Sequence, residues 1–248
     1  LFLKRGPGFV GELNGDFAIY IERSSNNEAY LFRDHVGIRP IAYIVNESSL
    51  YFSTDSISLA QYFYGKYDLD NEYLLNSFKS IDLRRTPVKE VKKLLSGHYL
   101  RFADGRAEIF KFWDPRKIRI DKSLTHDRIL RELRALLADT VMIRCDGRFT
   151  AGAHVSGGLD SGIIAALARN EYTEQEHFYG FSWSPAEFKA DDQKYDERVL
   201  VRNFCEKKNI IPVFSDLDAE ALALEAGSNQ TNRLYFAENR VSAQAAER

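Results

Sequence analysis

The strongest constraint on the fold is a short segment with two adjacent glycines, residues 155–161, between a predicted strand and a predicted helix. It reads Val-Ser-Gly-Gly-Leu-Asp-Ser and follows the apolar run 151–155, while residues 161–170 have helical spacing. Two glycines allow a tight turn, and the N–H groups at the start of the helix then face one point in space. The positive end of the helix dipole favours an anion there. The segment therefore predicts an anion-binding turn in an α/β domain.

The side chains of this segment indicate nucleotide phosphates as the anion. The hydroxyls of Ser156 and Ser161 are further donors, and Asp160 becomes useful when Mg²⁺ lies between its carboxylate and the phosphate oxygens. The segment lacks the lysine of a Walker loop and the three glycines of a dinucleotide-binding turn. A plain strand-to-helix turn that uses glycine only for tightness is the structural alternative, and the Ser-Gly-Gly-x-Asp-Ser pattern disfavours it.

Strands and helices alternate in the second half of the chain. Ser123 is the predicted N-cap of a helix whose apolar residues recur at helical spacing between positions 129 and 141. After the glycine segment come a predicted strand (177–183), a helix (196–208) and a strand (210–214). Alternation at this spacing is typical of βαβ units on a parallel sheet.

The first half of the chain is rich in predicted strands. Residues 17–21 and 29–32 form one predicted hairpin, and residues 41–45 and 50–54 form another. Short helices are predicted at 56–64 and 71–78, and a strand at 97–102 returns at 107–112 after an Asp-Gly turn. The change in pattern near Trp113-Asp-Pro115 predicts two domains, residues 1–115 and 116–248.

Composition excludes several classes of protein. Of the 248 residues, 44% are apolar and 28% are charged, which is typical of a folded globular protein with room for two domains. Lysine and arginine together number 34 and aspartate and glutamate 36, a net charge of −2, so general nucleic-acid binding is not expected. No apolar run reaches the about 18 residues of a membrane span, and no signal peptide opens the chain. We therefore expect a cytoplasmic protein without nucleic-acid or membrane partners.

The cysteines bear on the chemistry of the chain, and the single methionine and the first residue bear on whether the chain is a whole protein. Cys145 and Cys205 are the only cysteines and are too far apart for a Cys-x-x-Cys unit, so zinc and dithiol chemistry are not expected. The chain opens with Leu1, and its only methionine is Met142. We therefore expect a piece of a longer protein.

The pattern at 156–161 resembles the loop of the PP-loop ATP pyrophosphatases, which cleave ATP between the α and β phosphates. The resemblance implies ATP and Mg²⁺ as the bound groups, with Asp160 as the metal ligand. The residues that it assigns to the nucleotide are Val155, Ser156, Gly157, Gly158, Asp160 and Ser161 in the loop, and Gly180, or Phe181 in the neighbouring register, at the adenine edge. Two acidic pairs, Asp191-Asp192 and Asp196-Glu197, are further candidate metal ligands, although acids at a helix N-terminus are the commoner reason for the second pair.

Four segments of the first half indicate one branch of these enzymes. Residues 12–20, 33–40, 50–55 and 96–100 resemble, in order and spacing, the glutaminase domain of glutamine-dependent asparagine synthetases. The resemblance implies a partial N-terminal-nucleophile αββα domain followed by a doubly wound parallel-sheet PP-loop domain (adenine nucleotide alpha hydrolase-like). Within 33–40 we expect a structural role only, with an Arg33–Asp34 ion pair and a turn at Gly37.

The same resemblance implies an amide ligase, with a homodimer as the candidate assembly. In such an enzyme aspartate is adenylated by Mg-ATP and then aminated by ammonia from glutamine, which releases AMP and pyrophosphate. The small-molecule partners are therefore ATP, aspartate and glutamine or ammonia.

The chain departs from that family's pattern at both ends. The family's glutaminase nucleophile is an N-terminal cysteine, whereas this chain begins with Leu1. Asn14-Gly15 looks like an oxyanion-hole pair but corresponds to a structural segment of the family. Residues 235–248 resemble the helix that precedes a second pyrophosphate loop, Ser-Gly-x-Gly-x-Asp-Glu, which does not follow. We therefore expect no catalytic residue within the chain, and no activity from the chain alone.

Two alternatives stay open. A relative with the same architecture, such as a β-lactam synthetase or a lasso-peptide cyclase, captures the acyl-adenylate with an internal amine. A homologue of another class keeps the glutaminase-like domain only as a scaffold and does not catalyse. A cysteine after the start methionine of the parent protein favours glutamine use, and failure of the parent to bind ATP favours the scaffold.

Overall fold

The computed structural model describes residues 1–76, 79, 82–173, 177–182 and 197–214. Its first 111 residues contain two antiparallel sheets. The strands are β1 (Ala18–Arg23), β2 (Glu28–Arg33), β3 (Ala42–Asn46), β4 (Ser49–Ser53), β5 (Lys92–Lys93), β6 (His98–Ala103) and β7 (Arg106–Lys111). One sheet has the order β1-β2-β6-β7 and the other the order β4-β3-β5. Every pair in the two sheets is antiparallel.

The three predicted hairpins are confirmed. Strand β1 pairs with β2, β3 with β4, and β6 with β7. The last hairpin turns at Asp104 and Gly105, whose φ angles are 50° and 72°. Aspartate tolerates this left-handed backbone and glycine favours it, and the paired positive angles match the right-handed twist of the strands.

Short helices flank the strands of this first unit. They are α1 (Phe2–Arg5), α2 (Ser56–Tyr64) and α3 (Asn71–Asn76), with 3₁₀ segments at Gly6–Glu12 and Pro115–Lys117. Helix α2 has the predicted bounds and begins after Asp55, whose carboxylate accepts the N–H of Ser58 at 2.6 Å. The sequence predicts that α3 continues to residue 78, but residues 77 and 78 lie outside the described residues.

The turn after β2 is held by two charged side chains that bind the backbone. Asp34 is only 1% exposed, and its carboxylate accepts the N–H groups of Gly37, Ile38 and Arg39 at 2.6, 2.9 and 2.8 Å. The Arg33 guanidinium donates to the carbonyls of Gly37, Arg39 and Leu94 at 2.7, 2.9 and 2.6 Å. The expected Arg33–Asp34 ion pair is therefore replaced by hydrogen bonds to the chain, because the turn supplies donors and acceptors that a side-chain pair would leave buried and unmatched.

Gly37 is required by this turn. Its φ is +81°, and a Cβ at this position would lie 2.9 Å from Nη2 of Arg33. A side chain would therefore strain the backbone and displace the guanidinium. The predicted turn at Gly37 is confirmed.

Parallel pairing marks the second unit. Its elements, in chain order, are α4 (His126–Met142), β8 (Ala151–His154), α5 (Leu159–Arg169), β9 (Phe178–Ser182), α6 (Arg198–Lys208) and β10 (Ile211–Phe214). The strands form a sheet of order β10-β9-β8, and both pairs are parallel. The predicted alternation and parallel sheet are confirmed for these strands. A buried cluster that includes Val155, Phe178, Val201 and Ile210 joins the sheet to its helices.

Three predicted helix starts differ from the structure, and that of α6, predicted at residue 196, lies at Arg198. Helix α4 begins after Thr125, whose hydroxyl accepts the N–H of Arg128 at 3.4 Å, and Ser123 instead donates to the Asp121 carboxylate at 2.6 Å. Helix α5 begins at Leu159, two residues earlier than predicted, because Gly158 has the extended backbone of an N-cap (φ −81°, ψ 157°).

The chain divides into two units, Leu1–Ile120 and Asp121–Arg248. The mixed α/β character with several sheets agrees with the predicted class, while the assignment of residues 1–115 and 116–248 to two known domain types stays a prediction. None of the helices in the described ranges combines the length and the apolar character that crossing a membrane requires.

Candidate functional site

The candidate site is the serine–glycine loop, residues 156–161, at the carboxyl end of β8. Val155 is buried, and its N–H donates to the carbonyl of Phe181 at 2.8 Å, which ties the start of the loop to the neighbouring strand. Gly158 is the N-cap of α5 and has no side chain to cap the helix. The predicted strand–turn–helix is therefore present, with the first N–H groups of α5 lacking a capping side chain.

The two serine hydroxyls of the loop bind each other. Their oxygens are 2.9 Å apart, and Ser161 Oγ also accepts the N–H of Ser156 at 3.1 Å. The N–H of Gly158 donates to Ser156 Oγ at 3.2 Å. The hydroxyls, expected as donors to a phosphate, thus hold the loop in shape in this structure.

A carboxylate accepts a hydrogen bond from one N–H group of the loop. Oε2 of Glu197 accepts the N–H of Gly157 at 2.9 Å, across 40 positions of sequence. A Cβ at Gly157 would meet Leu200 Cδ1 at 3.0 Å and the Glu197 side chain at 3.3 Å, so glycine permits this close approach. The loop therefore accepts a negatively charged oxygen in the folded chain, which is the property expected of a phosphate-binding turn.

The sequence offers Glu197 as a candidate metal ligand near the nucleotide site and, more commonly, as an acid at a helix N-terminus. In the structure Glu197 is the N-cap residue of α6, and its carboxylate also binds the loop, a contact that the sequence did not indicate. Parallel pairing of β8 and β9 places the carboxyl ends of both strands at one edge of the sheet, where ligand sites of such sheets usually lie. Asp191, Asp192 and Asp196 lie outside the described residues.

Asp160 lies in the first turn of α5 with its side chain exposed. Carboxylate oxygens are ligands that Mg²⁺ prefers, and Mg²⁺ in nucleotide sites takes one or two carboxylates together with phosphate oxygens and water. Within the described ranges, no group of three or more His, Cys, Asp and Glu side chains could hold a metal ion. The donor set at Asp160 fits a magnesium ion whose other ligands come from the nucleotide and from water, and metal binding there stays a prediction.

Gly180 lies in the middle of β9, the central strand of the parallel sheet, opposite Ala153 and Pro212. A Cβ there would meet Ile210 Cγ2 at 2.9 Å and Cys205 Sγ at 3.1 Å. Close packing against Cys205 of α6 and against Ile210, directly before β10, thus explains the glycine without a ligand. The carbonyl of Phe181 accepts the N–H of Val155, and contact of either residue with adenine stays a prediction.

The two cysteines are free. Burial raises the pKa of both thiols, and the charge of Glu171 adds to the rise at Cys145. A raised pKa reduces the thiolate fraction, which is the nucleophilic form.

Comparison with known proteins matches the two parts of the chain to two family models. Residues 1–113 match the model of a glutamine amidotransferase domain, and residues 132–225 match that of asparagine synthase.

Several curated proteins are similar to the chain over most of its length. Glutamine-hydrolyzing asparagine synthetase 2 of Bacillus subtilis (strain 168) is 27% identical over 209 residues, which are 79% of this chain and 27% of that protein. Asparagine synthetase B of Escherichia coli (strain K12) is 28% identical over 175 residues, 68% of this chain and 26% of that protein. Amidase chyE of Penicillium rubens is 25% identical over 237 residues, 90% of this chain and 34% of that protein.

The chain spans between about a quarter and a third of the length of these three relatives. Its amidotransferase region precedes its asparagine synthase region, and glutamine-hydrolyzing asparagine synthetases are among its relatives. The two family models and these relatives together support the assignment of the chain to the asparagine synthetase family.

Proposed function

We propose that this chain is part of an ATP-dependent, glutamine-hydrolysing amide ligase of the asparagine synthetase type. The observation that carries the proposal is the serine–glycine loop between β8 and α5, with a carboxylate on the N–H of Gly157. A loop that accepts a carboxylate oxygen in this way suits a phosphate oxygen of ATP, because both are anionic acceptors of a backbone N–H.

In the proposed reaction the substrate carboxylate, that of aspartate in the leading case, attacks the α phosphate of ATP. The bond from the α phosphorus to the bridging oxygen breaks, pyrophosphate leaves, and ammonia then displaces AMP to form the amide. This chain's contribution is to bind the departing pyrophosphate with the N–H groups of the loop and the N-terminus of α5. Charge that develops on a leaving group is stabilised best by donors that are already in place.

Magnesium is the proposed metal, with Asp160 as its protein ligand. When bound, it would neutralise charge on the pyrophosphate oxygens. Val155 and either Gly180 or Phe181 are the proposed contacts of the nucleoside part. The hydroxyls of Ser156 and Ser161 hold the loop for the incoming anion.

No residue of this chain is proposed as the glutaminase nucleophile. Its only cysteines, Cys145 and Cys205, lie in the second unit, and burial raises the pKa of each thiol. The proposal includes an αββα glutaminase-like domain at 1–115 and a doubly wound PP-loop domain at 116–248. It also includes the homodimer as the candidate assembly and the cytoplasmic location that was expected from the sequence.

The proposal is tested by ATP–pyrophosphate exchange with the full-length parent protein. Labelled pyrophosphate should enter ATP when ATP, Mg²⁺ and aspartate are all present, and adding glutamine or ammonia should yield asparagine, AMP and pyrophosphate in equal amounts. Omission of the carboxylate is the control, because exchange requires the acyl-adenylate. A parent that binds no ATP contradicts the proposal and favours the scaffold.

A second candidate is an amide-forming enzyme that activates another carboxylate. It is favoured by the similarity to amidase chyE, which covers 90% of this chain. The same exchange assay, repeated with a panel of carboxylic acids that includes amino-acid derivatives with an internal amine, separates the two. Exchange with one of these acids and none with aspartate favours the second candidate.

Glu197→Gln in the full-length parent is expected to tighten the binding of ATP in the absence of Mg²⁺. The carboxylate of Glu197 competes with phosphate for the N–H of Gly157, and the neutral amide competes less well. We expect an increase in affinity of about three- to tenfold, measured by titration calorimetry in EDTA. Glu206→Gln, on α6, removes the same charge and should change the affinity less than about twofold. Equal effects of the two variants would contradict the competition.

A further inference from the structure

A second charged site lies in the first unit, among residues that have no part in the proposed ligase reaction. A cavity of about 570 Å³ opens beside edge strand β5 and is here called the cationic cavity. Its basic lining residues are Arg84, Arg85, Lys89, Lys92, Lys93 and Lys111. The whole chain has a net charge of −2, so this concentration of positive charge is local and does not reflect a basic protein.

Only some of these cations have an acidic partner. Arg85 binds the carboxylates of Asp70 and Glu72 at 2.6 and 3.1 Å, and Lys111 lies 3.3 Å from the Asp114 carboxylate. In the ranges that the structure describes, no carboxylate lies within ion-pair distance of Arg84, Lys92 or Lys93. Lys89 has no ion pair there either, but its charge acts on the Asp70 carboxylate. Arg84, Lys92 and Lys93 are therefore left for another anion.

The backbone brings these three residues together at the edge of one sheet. Lys92 and Lys93 form β5, where Lys92 lies opposite Tyr43 and Lys93 opposite Ala42. The N–H of Lys93 donates to the carbonyl of Arg84 at 2.9 Å, so the side chains of Arg84, Lys92 and Lys93 start from adjacent points of the chain. Successive residues of a strand point to opposite faces, so Lys92 and Lys93 reach the cavity, which both line, from different sides of β5, and Arg84 completes this array.

One cation of the array, Lys93, has an electrostatically unfavourable environment in the free chain. Lys93 is half-buried, and burial together with the neighbouring Arg33 lowers the pKa of its ammonium group. Burial lowers the pKa of Arg33 as well. Two half-buried cations next to each other weaken the folded state, and a bound anion would offset that repulsion.

Apolar side chains complete the walls of the cationic cavity. Val91 is 1% exposed and lies with Leu95, Ile109 and Tyr43 among the lining residues. A volume of about 570 Å³ is in the range of pockets for small molecules, and apolar walls beside a few charged groups are typical of them. A small ligand with clustered negative charge and an apolar body fits this combination better than an extended polymer.

We propose that the cationic cavity binds a small molecule that carries two or more phosphate groups, with Arg84, Lys92 and Lys93 as its ligands. Clustered phosphates match three adjacent cations, whereas the carboxylates of an acidic peptide are spaced further apart along their chain. The site is separate from the serine–glycine loop in sequence and in unit, and the proposal does not depend on the proposed ligase activity.

The test uses the 248-residue chain and inorganic triphosphate as the probe, in metal-free buffer at moderate salt. Titration calorimetry measures the affinity, and amide chemical shifts locate the site, because residues of β5 report on the cationic cavity and Gly157 and Gly158 report on the loop. The double variant Lys92→Gln/Lys93→Gln removes two charges from the cavity. Lys4→Gln/Lys117→Gln removes two charges from exposed positions of the same unit and is the matched control.

We expect triphosphate to shift the amides of β5, and the cavity variant to lose affinity by at least about tenfold while the control loses less than about twofold. If the cavity variant loses its native amide spectrum, Arg84→Gln replaces it, because that side chain is exposed and its backbone contact to Lys93 is kept. Shifts confined to the loop, or equal losses in cavity and control variants, would overturn the proposal.

Discussion

Asp160→Asn in the full-length parent is expected to lower the rate of ATP–pyrophosphate exchange by at least about 100-fold, while glutamine hydrolysis changes less than about twofold. The change keeps the shape of the side chain and removes its charge. Asp160 lies in the first turn of α5, next to the loop that is proposed to bind pyrophosphate. The neutral amide of asparagine ligates Mg²⁺ less strongly than the carboxylate, so the departing pyrophosphate loses that neutralisation.

The control for this experiment is Asp127→Asn. Asp127 also lies in the first turn of a helix, α4, so its replacement removes an equivalent interaction with a helix dipole. The control should leave the exchange rate within about twofold of the wild type, since an exposed helix-dipole interaction contributes little. Exchange at the wild-type rate in Asp160→Asn would contradict the magnesium assignment.

Local patterns in the sequence were enough to predict most of the fold. The spacing of apolar residues indicated β1 to β4 and the parallel strands β8, β9 and β10, and Asp104-Gly105 indicated its hairpin turn. These features depend on neighbours in sequence, for which periodicity and turn chemistry are direct evidence. The predicted start of α4 was wrong because Ser123 and Thr125 are both good N-cap residues. Only the structure shows which of their hydroxyls accepts an N–H of the helix.

Contacts between residues that are far apart in sequence could not be predicted from local patterns. The bond from Gly157 to Glu197 joins residues 40 positions apart, and the Arg33 guanidinium reaches Leu94 across 61 positions. Both depend on how strands and sheets are arranged in space, which no local pattern states. The same limit applies to the cationic cavity, where Arg84 and Lys93 meet through a backbone hydrogen bond between separate segments.

Asp34→Asn is expected to lower the free energy of unfolding of the first unit by about 3 kcal/mol at pH 7. Oδ1 of Asp34 accepts the N–H groups of Gly37 and Ile38, and Oδ2 accepts that of Arg39. In asparagine one oxygen becomes an NH₂ group, so a buried donor then faces another donor. Urea unfolding followed by the fluorescence of Trp113, in a Trp183→Phe background, measures the change.

Asp34 should also affect the loss of folding stability at low pH, here called the acid limb. Burial alone would raise the pKa of the Asp34 carboxyl, but the backbone N–H groups of Arg39, Ile38, Gly37 and Val36 outweigh it and hold that pKa below its usual value. The folded carboxyl thus stays charged where the unfolded one, with a pKa of about 3.9, is protonated. Its contribution is complete above that pH and is lost as the pH falls through the lower, folded pKa. Wild-type stability should therefore fall more steeply below pH about 4 than that of Asp34→Asn.

Asp104→Asn is the matched control for both measurements. Asp104 is an exposed carboxylate of the same unit with φ 50°, a backbone conformation that asparagine also adopts readily. Its replacement should change the free energy of unfolding by less than about 0.5 kcal/mol and leave the acid limb as in the wild type. If Asp34→Asn behaved like this control, the three backbone hydrogen bonds of Asp34 would not stabilise the turn. Retention of the wild-type acid limb in Asp34→Asn would show instead that other carboxylates determine the loss of stability at low pH.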